Sequence, residues 1–362
     1  MSTSDQALSQ TPSQTPTSAV QWASPQRQQQ FQHWLGALPA DWGLQTDSLH
    51  SASADASFRR YLRIQGGRGS LVIMDAPPDK EDCKPFVQGA RLMQEAGLRV
   101  PEVLAWDASN GFLLLSDLGT QTMLQGMNLQ APPPLDWYLE AVDLLVQWQL
   151  ASRPGVLPPY DAALLRRELD LYPTWYVAQH RQTTLNPTQQ QTLEDAFARI
   201  IENNLSWPSV YVHRDYMPRN LMLSPQGLGV LDFQDAVYGP ITYDIASLLR
   251  DAFHSWDEEF CLDVTVRYWQ RARQAGLSVG PDFGSFYQAV EWMGLQRHLK
   301  VTGIFARLTL RDGKPQYLAD TPRFIQYIRA TCSRYMALKP LLRLVEAIDG
   351  MEVPSGFVFG KP

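Results

Sequence analysis

The run Val210-Tyr211-Val212-His213-Arg214-Asp215-Tyr216-Met217-Pro218-Arg219-Asn220-Leu221-Met222-Leu223 decides how this 362-residue chain is read, together with Gly229-Val230-Leu231-Asp232-Phe233-Gln234-Asp235 a few residues later. Short apolar strands are expected at Val210–His213, Leu221–Leu223 and Gly229–Phe233. They interrupt a region that is otherwise helical in pattern. Upstream, Tyr138, Ala141, Val142, Leu145, Trp148 and Gln149 recur on one helix face, and Leu193, Phe197, Ile200 and Ile201 do so after the cap-plus-proline start Asn186-Pro187. Downstream, long helices are expected from about Asp244 and through 257–276, 282–297 and 322–348.

Towards the N-terminus the pattern changes. Phe58–Ile64 and Ser70–Ala76 read as a hairpin turning through Gly66-Gly67, followed by a helix around Pro85–Ala96 and strands at Glu102–Trp106 and Gly111–Leu115. Before them, Ser24-Pro25 opens a helix whose buried stripe is Phe31, Trp34, Leu35 and Leu38. Residues 1–23, with Ser-Gln-Thr-Pro twice in succession, read as a disordered tail. The expected fold class is therefore α+β and bilobal, with a β-rich lobe over 24–117 and a large, mainly helical lobe over 118–362.

The strand-bounded stretch also carries the chemistry. It follows the spacing H-x-D-x-x-x-x-N, and the next strand ends in Asp-Phe, the pattern of kinase-type phosphoryl transfer from ATP. ATP's phosphates repel an incoming hydroxyl, so such a site needs Mg²⁺ and a group that holds the nucleophile in line. Mg²⁺ takes hard oxygen ligands, which Asn220 and Asp232 supply. Asp215 is left to accept or orient the proton of the acceptor hydroxyl. His213 is expected to brace the loop by hydrogen bonding. Any one of these residues alone reads equally well as a turn former or cap; the fixed spacing at two strand ends is what points to chemistry.

Composition narrows the partners. With 31 basic and 37 acidic residues the net charge is −6, against the basic surface a nucleic-acid binder needs. No apolar stretch approaches the length of a bilayer span. The first ten residues lack the basic and apolar regions of a secretory signal. Cys83, Cys261 and Cys332 form neither a metal-ligand spacing nor a disulfide framework, which suits a cytoplasmic setting. Oligomeric state is not set by the sequence.

His213–Asn220 with Asp232 resembles the aminoglycoside phosphotransferase/choline kinase branch of the protein-kinase-like fold, over roughly residues 30–340. The runs SADASFRRYLR (53–63), VIMDAPP (72–78), HRDYMPRNLM (213–222), VLDFQDAVYGPITYDIASLLRDAF (230–253) and GLQRHLKVTGIFARL (294–308) are similar to the anomeric N-acetylmuramate/N-acetylglucosamine kinases of bacterial cell-wall recycling. The resemblance implies ATP and Mg²⁺ as cofactors, an amino sugar as acceptor and its α-1-phosphate as product. It implies that Asp244 supports the catalytic loop and that backbone groups near Ser116 and Leu118 bind the adenine edge.

The phosphate-covering loop of the family falls at Ser53–Phe58, where Ser53 and Ser57 stand in place of a glycine-rich motif. Met74 occupies the usual lysine position, and Gln88 that of its glutamate partner. Arg60, Arg63 and Arg219 are the candidate replacement cations, although Arg59 and Arg60 also suit ordinary strand arginines. On the acceptor side the family's segments correspond to Glu168–Tyr176 and Glu291–His298. Glu168, Tyr172 and Trp175 mix an acid with aromatics as sugars require, and Arg297, His298 and Lys300 offer cationic contacts. Trp175 and Tyr176 fit helix packing equally well. Another small-molecule kinase (for an aminoglycoside, homoserine or choline) and a nucleotide-binding pseudokinase are the alternative readings.

Overall fold

The computed structural model describes residues 20–54, 58–251, 253–254 and 256–351, which fall into two compact units. The first comprises the chain up to Val87 together with Pro101–Asp117. Its helix α1 (Pro25–Ala37) is opened by Ser24, whose hydroxyl accepts the Arg27 N–H at 3.1 Å. Strands β1 (Gln45–Ala54), β2 (Arg60–Gly66), β3 (Gly69–Asp75), β4 (Val103–Asp107) and β5 (Phe112–Ser116) form one sheet in the order β1-β2-β3-β5-β4. Every neighbouring pair is antiparallel, and Gly66 faces Gly69 across a two-residue turn. Leu62, Ile64, Ile73, Phe112 and Leu114 pack under Phe31, Trp34 and Leu35 of α1.

Three details depart from expectation. Val20 and Trp22 already pack on this core, so the packed chain begins before Ser24; Trp22 lies 4.6 Å from Phe31, ring to ring. Strand β1 has no counterpart in the sequence pattern. From Gln88 onward, α2 (Lys84–Glu95) and the residues to Val100 group with the other unit rather than with the sheet.

The second unit is mainly helical: α3 (Met123–Gly126), α4 (Leu135–Leu150), α5 (Ala162–Leu169), a π-helical turn over Tyr172–His180, α6 (Pro187–Leu205), α7 (Tyr243–Leu249), α8 (Glu258–Gln274), α9 (Phe283–Leu310), α10 (Thr321–Arg334) and α11 (Lys339–Ile348). Helix α9 runs well past the expected end at 297, whereas the expected helix 322–348 breaks at Tyr335, ahead of Pro340. Leu295, Leu299 and Ala306 of α9 centre a core with Leu169, Phe197, Ile200, Ile328 and Val345. The approach of α9 to the π-helical turn demands glycine: a Cβ on Gly303 would sit 2.3 Å from the carbonyl carbon of Leu171. No helix among the described residues is long and apolar enough to cross a membrane.

Two small ribbons interrupt the helices. Strand β6 (Ser209–Val212) pairs with β9 (Val237–Pro240), and β7 (Leu221–Met222) with β8 (Gly229–Val230), both antiparallel. The loops His213–Asn220 and Leu231–Ala236 connect them.

Candidate active site

The loop after β6 is held by buried hydrogen bonds. The Asp244 carboxylate, in the first turn of α7 and fully buried, accepts the His213 N–H at 2.7 Å and the Arg214 N–H at 3.0 Å. Burial pushes its pKa up to about 6, against the opposing pull of His213 and of the two amides.

The His213 ring is defined by its neighbours. Nε2 lies 2.9 Å from the Leu231 carbonyl, an obligate acceptor, and Nδ1 faces the Asp215 N–H, an obligate donor, at 3.2 Å. The imidazole is therefore the neutral Nε2–H tautomer with both nitrogens engaged. Burial lowers its pKa, overcoming the nearby Asp244 and Asp215. Such a ring ties the two loops together and has no nitrogen left for proton transfer.

Asn220 joins the acids. Its Nδ2 donates to the Asp215 carbonyl at 2.9 Å and to Asp232 Oδ2 at 3.3 Å, so the two oxygens fix the amide orientation and leave Oδ1 as the end available to a cation. Asp232 takes φ +66°, and its Oδ1 accepts from Gln234 Nε2 at 2.7 Å. Phe233 follows it into the core, where a Cβ on Gly89 would come within 2.8 Å of the ring; that glycine lets α2 approach the loop. A carboxylate and an amide oxygen brought together in this way match the hard, partly hydrated ligand set that Mg²⁺ prefers.

Beside this loop lies an ionic cluster whose members are far apart in the chain. Glu168, at the end of α5, is buried between Arg214 Nη2 at 2.5 Å and Lys300 Nζ at 2.9 Å, and it accepts the Tyr160 hydroxyl. Burial would raise its pKa, but Lys300 and Arg214 outweigh that and hold it at about 2. Burial likewise works against the charge on Lys300, yet Tyr243 and Glu168 beside it raise its pKa. Lys300 also donates to the Tyr243 hydroxyl at 3.2 Å. Arg297, one turn earlier on α9, stacks 4.8 Å over the Tyr243 ring and donates to the Arg214 carbonyl at 2.7 Å. The i, i+3 spacing of Arg297 and Lys300 was the available sign that both share one helix face.

Of the expected acceptor residues, Glu168 is thus a buried counter-ion. Tyr172 is wholly buried and stacks on Tyr176, so it is a core residue rather than a sugar contact. His298 is also core: it is 1% exposed and lies face to face with Tyr327 at 4.4 Å. Trp175 is half-buried and packs against the α9 core.

The expected nucleotide residues are differently placed. Ser53 lies in β1 opposite Tyr61, and Ser57 falls outside the described residues. Arg60, an expected phosphate cation, pairs with Asp75 at 2.5 Å and lies 4.2 Å over the Trp22 ring. Arg63 pairs with Asp117 at 2.7 Å. Arg219 is exposed, stacked 4.6 Å over Phe253. Met74 is fully buried, and Gln88 Nε2 donates to the Val156 carbonyl at 3.2 Å. Ser116 closes β5, where its hydroxyl accepts the Glu102 N–H at 2.8 Å, and Leu118 is buried.

The profile of the phosphotransferase enzyme family matches residues 48–278. The chain is similar to the N-acetylmuramate/N-acetylglucosamine kinase of Pseudomonas aeruginosa, with 48% identity over 89% of this chain and 97% of that protein. The protein of the same name from Neisseria meningitidis is 47% identical, over 92% of this chain and 100% of that protein. Among solved structures, a choline/ethanolamine kinase family protein from Mesorhizobium loti superposes with a TM-score of 0.57 at 16% identity, covering 89% of this chain and 99% of that one. An ADP-bound aminoglycoside phosphotransferase superposes with a TM-score of 0.54 at 14% identity, covering 84% and 97%. These two likenesses establish the protein-kinase-like fold.

Proposed function

The chain belongs to the phosphotransferase enzyme family, and from that premise we propose that it is an ATP-dependent sugar kinase acting on the anomeric hydroxyl of N-acetylmuramate or N-acetylglucosamine, with the α-1-phosphate as product. The observation that carries the reading is that one Asn220 amide nitrogen donates both to the main-chain carbonyl of Asp215 and to the Asp232 carboxylate. Asn220 Oδ1 and the Asp232 carboxylate would hold Mg²⁺, which when bound neutralises charge on the phosphates. Asp215 orients the acceptor hydroxyl and takes up its proton as the hydroxyl oxygen bonds to phosphorus and ADP leaves. His213 keeps the loop in place as a neutral imidazole, and Asp244 holds the amides behind it.

On the nucleotide side, backbone groups at Ser116 and Leu118 take the adenine edge. The resemblance offers Ser53 and, outside the described residues, Ser57 for the phosphates, and Arg219 as a separate candidate cation. Arg60 is the weaker claimant, given its pairing with Asp75. Trp175 remains the aromatic candidate on the acceptor side. A cytoplasmic setting accords with three free, buried cysteines.

An acceptor panel with ATP and Mg²⁺, the product position read by NMR, tests the proposal. Transfer to N-acetylmuramate and N-acetylglucosamine at C1 is expected; transfer only to an aminoglycoside, homoserine or choline would replace the acceptor assignment. Asp215→Asn is expected to lower kcat by about 10³-fold or more while nucleotide binding stays within about twofold.

A further inference from the structure

We propose that Arg214 is a positioning residue that, with Glu168 and Arg297, clamps the backbone on which Asp215 stands. Arg214 adopts φ +75°, a left-handed conformation that costs a side-chain-bearing residue about 1 kcal/mol and glycine almost nothing. An arginine is placed there for what its side chain reaches. Nη2 meets Glu168 at 2.5 Å and Nη1 meets the Asp235 carbonyl at 3.4 Å. One guanidinium thereby ties the catalytic loop to α5 and to the loop that carries Asp232.

The backbone completes the clamp. The peptide joining Arg214 to Asp215 is held at both ends: its carbonyl accepts from Arg297 Nη1 at 2.7 Å, and its N–H donates to His213 Nδ1 at 3.2 Å. The next carbonyl, that of Asp215, accepts from Asn220 at 2.9 Å. Asp215 is therefore fixed on both sides, and its aim depends on where Arg214 is anchored. Glu168 is the anchor, itself held by Lys300 and Tyr160 and so kept charged without Arg214.

This clamp rests on the kinase reading above, and the two fail differently. Absence of sugar-dependent turnover by the wild type would defeat the kinase reading. The clamp is tested by Arg214→Gly, which relieves the left-handed strain and leaves Glu168 paired with Lys300. Thermal stability and the stoichiometry of nucleotide binding are expected to match the wild type, with kcat down about 10- to 100-fold and KM for both substrates within about twofold. Ethylguanidinium, but not ethylammonium, should restore part of the rate. Arg214→Lys keeps a cation against Glu168 but cannot span both Glu168 and the Asp235 carbonyl, so it should fold normally and lose kcat several-fold. Wild-type kcat in either variant overturns the clamp. So does a rate loss that merely tracks a lower fraction of nucleotide-binding protein.

Discussion

Two buried carboxylates in this molecule sit in the same chemical arrangement and serve different ends. Asp75, at the end of β3, is held by Arg27 of α1 and Arg60 of β2, each within 2.5 Å. Glu168 is held by Arg214 and Lys300. The difference lies in what the cations touch next. Around Asp75 they meet rings, Arg27 lying 3.9 Å over Phe112 and Arg60 over Trp22, so the acid fastens a helix and the chain leading into it to a sheet. Around Glu168 one cation belongs to the catalytic loop and the other donates to Tyr243, beside Asp244. The first cluster secures a fold; the second aims a side chain. A buried ion pair contributes little net stability over well-packed apolar groups, so what it orients is the better guide to why it is there.

The largest effect is expected where the first cluster is broken. Asp75→Asn leaves Arg27 and Arg60 facing each other with no counter-ion, a loss of about 3–5 kcal/mol in unfolding free energy, measured in urea. Turnover per folded molecule should stay within about twofold. A fall in kcat at constant folded fraction would break the comparison, since Asp75 would then also act on the chemistry. Glu168→Gln is the complementary change. The amide keeps an oxygen for Arg214 but strips the charge that balances Arg214 and Lys300. A loss of about 10- to 100-fold in kcat, or roughly 1.4–2.7 kcal/mol of transition-state stabilisation, is expected, exceeding any loss from KM.

These clusters also mark where the sequence is legible. The grouping of Asn220 with the Asp215 main chain and with Asp232 is legible from the spacing because that part of the candidate site is local in the chain. The hairpin at Gly66–Gly69 was legible for the same reason. Glu168 looks like a sugar contact in sequence because the cations that pair with it lie 46 and 132 residues away. On α9, Arg297, His298 and Lys300 look like surface cations in sequence. Yet every residue from Glu291 to Lys300 is buried: Glu291, Arg297 and Lys300 find partners elsewhere in the fold, and burial drives the pKa of His298 well down, so it sits as a neutral ring against Tyr327. Strand β1 gives no strand signal in sequence because Gln45–Ala54 is mostly polar and small, and among the described residues it stands at the edge of the sheet with a ladder on one side only.

Acid titration separates securing from aiming. Asp244 has a folded pKa of about 6, above its unfolded value, so its protonated form is the one folding favours. Its contribution to stability is complete below the unfolded pKa of about 4 and lost as pH rises through 6. Glu168 runs the other way: its folded pKa of about 2 gives stability above about 4.5 that is lost as pH falls towards 2. Between pH 6 and 4.5, then, neither group makes the protein less stable as acid is added. The Asp244 carboxylate nevertheless loses an acceptor for the His213 or Arg214 amide in that window. The expected outcome is an acid limb in kcat near pH 6, approaching tenfold per unit, while the urea midpoint holds until below pH 4.5. An acid limb that coincided with unfolding would assign Asp244 to the securing class instead.

The smallest expected effect belongs to Arg27. Replacing it with Met removes one of two cations from Asp75 but leaves Arg60 at 2.5 Å, and the unbranched side chain can still lie against Phe112. The carboxylate stays paired, so the cost should be about 1–2 kcal/mol, well short of that of Asp75→Asn. The double variant Arg27→Met with Asp75→Asn leaves a lone, partly exposed Arg60 and no facing pair of cations. It should be more stable than Asp75→Asn alone, because the cost of that variant is mostly the repulsion and desolvation of two unpaired guanidiniums. No such recovery is available in the other cluster, where removing a second charge cannot restore the aim of Asp215. Restored stability in the first double variant, beside unrestored kcat when Glu168→Gln is combined with Lys300→Met, is the contrast that the two arrangements demand.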